Sequence, residues 1–145
     1  MPTFVKSVLI DAPVREVFGF HEREDALPRL SPPFPPVRVI SRTGGIKTGA
    51  QVALKVGLVR WIARHTAYEK DRLFVDEQAR GPFRSWVHRH EFEAVDGKTR
   101  LTDRIEYQLY GGPIAHLLVS WAINRVLDNM FRHRHRLTRQ FCEQR

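Results

Sequence analysis

Between Ser85 and Glu93 the chain alternates, S-W-V-H-R-H-E-F-E. In a strand this puts Trp86, His88, His90 and Phe92 on one face and Val87, Arg89, Glu91 and Glu93 on the other. Asp96-Gly97 is a dipeptide that closes a hairpin. The returning strand sorts in the same way, with Leu101, Asp103, Ile105, Tyr107 and Leu109 opposed to Arg100, Thr102, Arg104, Glu106 and Gln108. The two apolar sets must share a side of the sheet. The hairpin therefore turns two histidines and a carboxylate inward among aromatic rings. A purely structural core has little use for three titratable groups, since each costs free energy to bury without a partner. A cavity that holds a polar group or water does have a use for them.

The rest of the pattern surrounds this hairpin. Thr3 to Ile10 reads as a strand, and Asp11-Ala12-Pro13 starts a helix with Pro13 at an early helical position, where its missing N–H is harmless. Val14, Val17 and Phe18 give that helix an apolar stripe, and a second short helix is predicted from Asp25 to Leu30. Pro32-Pro33-Phe34-Pro35-Pro36 can be neither helix nor central strand. It reads as a stiff connector with Phe34 tucked down, or as the rim of a pocket mouth. Strands follow at Val37 to Arg42, Ala50 to Val56, Arg60 to Glu69 and Arg72 to Arg80, with Gly81-Pro82 breaking the chain before the hairpin. After Gly111-Gly112-Pro113 the spacing becomes helical up to Gln144: Ile123, Val126, Leu127, Met130, Leu137 and Phe141 recur three and four apart. Leu117, Leu118 and Trp121 extend this stripe backwards. Thirty-odd residues make a helix of roughly 45 Å, and a long strand spans about 40 Å. The predicted class is α+β: an antiparallel meander of about seven strands, curved around one long C-terminal helix, with two short helices after the first strand. Such a wrap leaves a gap between sheet and helix unless large side chains fill it.

Length and composition narrow the picture. The 145 residues suit one domain, 1–145, and 42% hydrophobic with 28% charged residues is ordinary for a globular protein. The formal net charge of +8 admits nucleic acid or an anionic membrane surface as a partner without favouring either. The single cysteine, Cys142, rules out a disulfide framework within one chain. The N-terminus lacks the pattern of a signal peptide, no stretch approaches the ~20 apolar residues of a membrane span, and a cytoplasmic location is expected.

The layout resembles the START-like, pollen-allergen-like helix-grip superfamily, also called SRPBCC. D-A-P-V-R-E-V-F (Asp11 to Phe18) is similar to that family's entry into its first helix. F-V-D-E-Q-A-R-G-P-F-R-S-W-V-H-R-H-E-F (Phe74 to Phe92) and T-R-L-T-D-R-I-E-Y (Thr99 to Tyr107) resemble the bacterial polyketide-cyclase/dehydrase branch more closely. The resemblance covers nearly the whole chain. It implies a helix-grip fold and the binding of a lipid, polyketide, hormone or other apolar ligand, with catalysis in some members only and no universal catalytic motif. Similar segments occur fused to sugar-nucleotide-epimerase-like proteins.

Three chemistries are open to the inward groups. His88 and His90 with Asp103 across the hairpin bring together metal-ligand types, yet rings two apart on a strand diverge easily. The same residues serve a hydrogen-bond network in a cavity or a satisfied core pair. No metal and no cofactor are expected. As a cyclase or dehydrase, His88 or His90 would be the base, Asp103 its orienter and Tyr107 a donor. Asp76 joins the cavity if the face of Phe74 and Gln78 turns inward. Trp61, Trp86 and Trp121 read as wall and core, and Leu117, Leu118, Trp121 and Met130 as a lid from the long helix. The expected function is binding of a small hydrophobic ligand by Trp61, Asp76, Trp86, His88, His90, Asp103, Tyr107, Leu117 and Trp121.

The final helix also carries Arg125, Arg132, His133, Arg134, His135, Arg136 and Arg139. Cations suit a helix C-terminus and a solvated face, but R-H-R-H-R exceeds either need. An acidic partner at Arg132, Arg134 and Arg136, nucleic acid, or anionic lipid is the alternative use. His133 and His135, two apart on a helix, do not face each other.

Overall fold

The computed structural model describes residues 3–23, 25–30 and 36–143, with the backbone alone at Leu27. The expected proline-rich connector falls almost wholly outside the described residues. The elements in chain order are β1 (Thr3–Ile10), α1 (Val14–Glu22), α2 (Ala26–Leu30), β2 (Val37–Thr43), β3 (Gln51–Val56), β4 (Val59–Glu69), β5 (Leu73–Arg80), β6 (Ser85–Val95), β7 (Lys98–Gln108) and α3 (Gly112–Glu143). All seven strands form one antiparallel sheet in the order β1-β7-β6-β5-β4-β3-β2. Strands β2 to β7 are joined by local turns and lie side by side. β1 is separated from β2 by the two short helices, and it closes the sheet from the far side against β7. Pro13 stands one position earlier than expected: it is the N-cap of α1, extended at φ −62° and ψ 150°, so its missing N–H precedes the first helical residue.

The alternation of the hairpin becomes its register. Trp86 lies opposite Tyr107, His90 opposite Asp103, and Phe92 opposite Leu101. Directly opposed residues point to one face, and every second residue of β7 from Thr99 to Tyr107 is buried. Asp96 and Gly97 take φ of 50° and 77°, the two positive values a type I′ turn requires. Irregular register on β4 and β5, between Ile62 and Ala63 and again between His65 and Ala67, adds the local bend that bulges bring.

Two apolar clusters flank the middle of the interior. Under α1, Phe18 meets Phe92 edge-on at 5.0 Å and packs with Ile10, Phe74 and Leu101. Toward the start of α3, Phe4, Ile105 and Tyr107 pack with Leu127 and Phe131. The buried positions of α3 are Leu127, Phe131, His135, Thr138 and Cys142, at steps of four, four, three and four. This is the inward stripe of a helix. It differs from the predicted one at both ends. None of residues 112–120 is buried, and Leu117 and Trp121 are 79% and 67% exposed. At 100° per residue Trp121 sits about 120° around the axis from Leu127, so it cannot join that stripe.

Gly97→Ala forces a Cβ into a left-handed conformation, and is expected to cost about 1 kcal/mol. Urea unfolding would show this as a lower midpoint at an unchanged slope.

Candidate functional site

The site begins with Asp103, 4% exposed on β7. A carboxylate that deep must be compensated, and two elements supply imidazoles to it. From β6, His88 donates its Nε2–H to Oδ1 at 2.8 Å, and His90 Nδ1 lies 3.3 Å from the same oxygen. From α3, His135 donates its Nε2–H to Oδ2 at 2.6 Å. Asp76 of β5 lies opposite His88 in register, and its Oδ2 accepts from His90 Nε2 at 2.8 Å. The rings stack as well. Phe74 lies over His90 at 3.9 Å and 12°, His90 over His88 at 3.7 Å and 28°, and Phe131 meets His88 edge-on at 5.2 Å.

The two stacked histidines are driven apart in protonation. Burial pulls both down, but His90 sits between two carboxylates, whose hydrogen bonds and charges raise it above the ordinary imidazole value. His88 goes the other way, because burial and then the neighbouring His90 charge outweigh its bond to Asp103. Burial opposes ionisation of the carboxylates too. His90 and the charges of His88 and His65 nevertheless bring Asp76 down to about 2, and the bonds from His135, His88 and His90 hold Asp103 well below the usual carboxylate range. At a pH between the lowered His88 value and the raised His90 value, the species are two carboxylates, an imidazolium at His90, and a neutral His88 whose Nε2–H is committed to Asp103 and whose Nδ1 carries the lone pair.

Beside this network lies a cavity of about 200 Å³ between the sheet, α2 and α3. Leu54, Val56, Trp61, Trp86, Met130 and Phe131 are among its apolar walls; Asp76, His88, His90, Asp103, Arg134 and His135 are polar. Of the residues expected at the site, Trp61, Asp76, Trp86, His88, His90 and Asp103 come together here. Tyr107 does not line the cavity: it is buried beneath Phe83 and donates its hydroxyl to Asn124 at 2.8 Å. Leu117 and Trp121 stand outside, as the exposed start of α3 dictates. Among the expected lid residues only Met130 reaches the cavity.

Five ionisable lining residues were not anticipated as site groups: His21, Arg42, His65, Arg134 and His135. The last two correct the reading of the basic run as a solvated face. Arg132 does reach out, to Asp128 at 2.7 Å, and Arg136 to His133 at 3.1 Å. Arg134 instead turns in, its guanidinium 5.1 Å from the Phe131 ring. The signal was present in the spacing, since Leu127, Met130 and Phe131 place Arg134 seven, four and three residues further along one helical face. The three arginines assigned to an acidic partner therefore do not form one surface.

Asp76, His88 and His90 also offer ligand atoms within 4.8 Å of one another. Their chemistry fits a metal, but the stacked rings do not. An imidazole binds a metal through an in-plane lone pair, and an ion in the plane of one ring would lie well off that of the other, 3.7 Å away.

The sequence profile of the family described as "Polyketide cyclase / dehydrase and lipid transport" matches residues 10–133. The chain belongs to that family. No curated protein matches it in sequence. Among solved structures it is similar to a nucleoside-diphosphate sugar epimerase from Corynebacterium glutamicum, at 25% identity and a TM-score of 0.75, over 94% of this chain and 28% of that one. The chain thus spans little more than a quarter of the epimerase. It is also similar to a START superfamily protein from Mycobacterium smegmatis (15% identity, TM-score 0.67, 98% and 97% covered). A third likeness is TTHA0849 from Thermus thermophilus (16%, 0.69, 94% and 97%). The fold is the expected helix-grip arrangement, shared with the START superfamily protein, and the family marks a ligand-binding domain of the polyketide cyclase / dehydrase and lipid transport kind.

Acid should dismantle the structure in two stages. Burial, only partly opposed by the bond from His21 to the Val17 carbonyl, brings the His21 pKa from 6.5 down to about 4. Between those values the unfolded ring binds a proton and the folded one does not, so stability falls as pH drops from 6.5 to 4, by about 3 kcal/mol for this ring. Asp76, at about 2 against 3.8 unfolded, adds a loss between those two values. His90 has the opposite sign: its contribution is complete below 6.5 and lost as pH rises through its folded value. Urea unfolding at fixed pH values should show both acid slopes, and His21→Leu should reduce the first without touching the second, the remainder coming from His88 and His65, whose values burial also lowers.

Proposed function

We propose that this member of the polyketide cyclase / dehydrase and lipid transport family works as a single ligand-binding domain over residues 1–145. It binds a small, largely hydrophobic, lipid- or polyketide-like molecule in the cavity between sheet and α3. The observation that carries this reading is the cavity itself: apolar walls from β3, β4, β6 and α3 beside a hydrogen-bonded network of histidines and carboxylates. Apolar concavities with a few convergent polar groups are the usual form of a small-molecule site. At about 200 Å³ it lies under the ~300–1,000 Å³ typical of such sites. A compact ligand, or one that inserts only part of its length, fits best. Trp61 and Trp86, edge-on at 5.0 Å, are in place to pack against an apolar body. No described helix is long and apolar enough to cross a membrane.

A second reading, a cyclase- or dehydrase-like enzyme, is favoured by one specific observation. Two stacked histidines have their pKa values pushed in opposite directions, and such a split is how one site supplies both an acid and a base. In that reading His88 removes a proton beside a ligand carbonyl, Asp103 orients it, and His90 donates.

Native mass spectrometry of the purified protein, followed by analysis of what denaturation releases, tests the first reading. An apolar small molecule should co-purify, or added lipids should bind and shift tryptophan emission. A bare mass together with unchanged emission across a lipid panel would contradict it. His88→Gln separates the two readings: with a poly-β-keto substrate an enzyme loses product formation while still binding, whereas a carrier only binds more weakly.

A further inference from the structure

Five buried side-chain polar atoms among the described residues have no hydrogen-bond partner, and three of them belong to cavity-lining residues: His65 Nδ1, Arg134 Nε and His135 Nδ1. Arg134 is the most demanding. The residue is half-buried, but its Nε–H is shut off from water; a buried donor without a partner is costly, and arginine cannot escape the cost by losing its proton. Its neighbours on α3 are satisfied, Arg132 by Asp128 and Arg139 by Glu143, yet no described carboxylate pairs with Arg134. The nearby acceptors are already engaged. Both oxygens of Asp103 accept from imidazoles, Asp76 accepts from His90, and the Thr138 hydroxyl donates to the backbone carbonyl of Arg134 itself. Burial lowers the guanidinium pKa, and the longer-range pull of Asp103 and Asp76 offsets only part of that. The guanidinium lies over the face of Phe131, 5.1 Å from the ring centre.

We propose that Arg134 receives the carboxylate of an acid-headed apolar ligand, whose body runs along the cavity toward Trp61 and Trp86. This deepens the ligand-binding reading above and rests on it. A guanidinium fork matches a carboxylate through two parallel N–H···O bonds, which a surface lysine or a neutral amide donor does not reproduce. The spacing also fits. Trp86 and His90 are four residues apart on β6, roughly 13 Å, so an acid held at the Arg134 end has a stretch of cavity for a short hydrocarbon. Met130, one helical turn before Arg134, lines the way.

The test is isothermal titration of the full chain with octanoic acid and with octanamide, a neutral isostere, using wild type, Arg134→Gln and Arg134→Lys. Wild type should bind the acid about tenfold or more tightly than the amide, since charge-assisted hydrogen bonds are roughly twice as strong as neutral ones. Arg134→Gln should level the two, and Arg134→Lys should keep a reduced preference. The ratio is read within each variant, so a shared loss of folded protein does not alter it. Equal binding of acid and amide by wild type, or an acid preference that survives Arg134→Gln, would overturn the assignment of Arg134 and leave the ligand-binding reading standing. Binding of neither probe would overturn both.

Discussion

A carboxylate buried to 4% exposure survives only if its partners are fixed, and Asp103 takes them from two separate parts of the chain. His88 and His90 come from the adjacent strand of the same hairpin, so local register alone positions them. His135 comes from α3, thirty-two residues away, and ties the helix to the sheet where the two enclose the cavity. Removing one side of a buried charged network costs several kcal/mol because the other side is left uncompensated. The geometry of the helix against the sheet is thereby fixed by a polar contact set among apolar ones, Phe4 with Phe131 at 5.9 Å on one side and the Phe18 cluster on the other.

The same network makes the cavity chemically uneven. The carboxylates spend their hydrogen-bonding capacity on histidines, which polarise one another through a 3.7 Å stack. What is left over is basic: the guanidinium of Arg134 and the Nδ1 atoms of His65 and His135. A helix-grip domain needs no such arrangement to fold, since aromatic and aliphatic side chains of this size could fill a gap of about 200 Å³. Its presence beside apolar walls gives this chain the means to orient a ligand as well as to enclose one.

The hairpin was legible in the sequence because two strands, one turn dipeptide and period-two alternation leave a single consistent inside. Trp86, His88, His90, Phe92, Leu101, Asp103 and Ile105 all follow from it, and so does the order of elements. Asp76 was not decidable, because the parity of β5 depends on which partner it meets across the Gly81-Pro82 break. The long helix was harder. A run of arginines and histidines satisfies a solvated face and hides the fact that Arg134 and His135 continue the stripe of Leu127 and Phe131. At the other end, Leu117 and Trp121 are apolar enough to suggest a lid, but the helix begins before it meets the sheet and these side chains have nothing to cover. Tyr107 was placed on the correct face, yet Phe83 and α3 seal it from the cavity. Facing direction is readable from alternation, while the boundary between core and cavity is set by packing between distant elements.

The most direct measurement is heteronuclear NMR of the imidazole nitrogens across a pH series. At a pH between their two values the His90 ring should carry protons on both nitrogens, while His88 should be neutral with its proton on Nε2. His90 should lose its charge above the ordinary imidazole range, and His88 should gain one below it. If the two rings titrate together near the ordinary value, the carboxylates do not divide them, and the account of a cavity polarised by Asp103 is wrong.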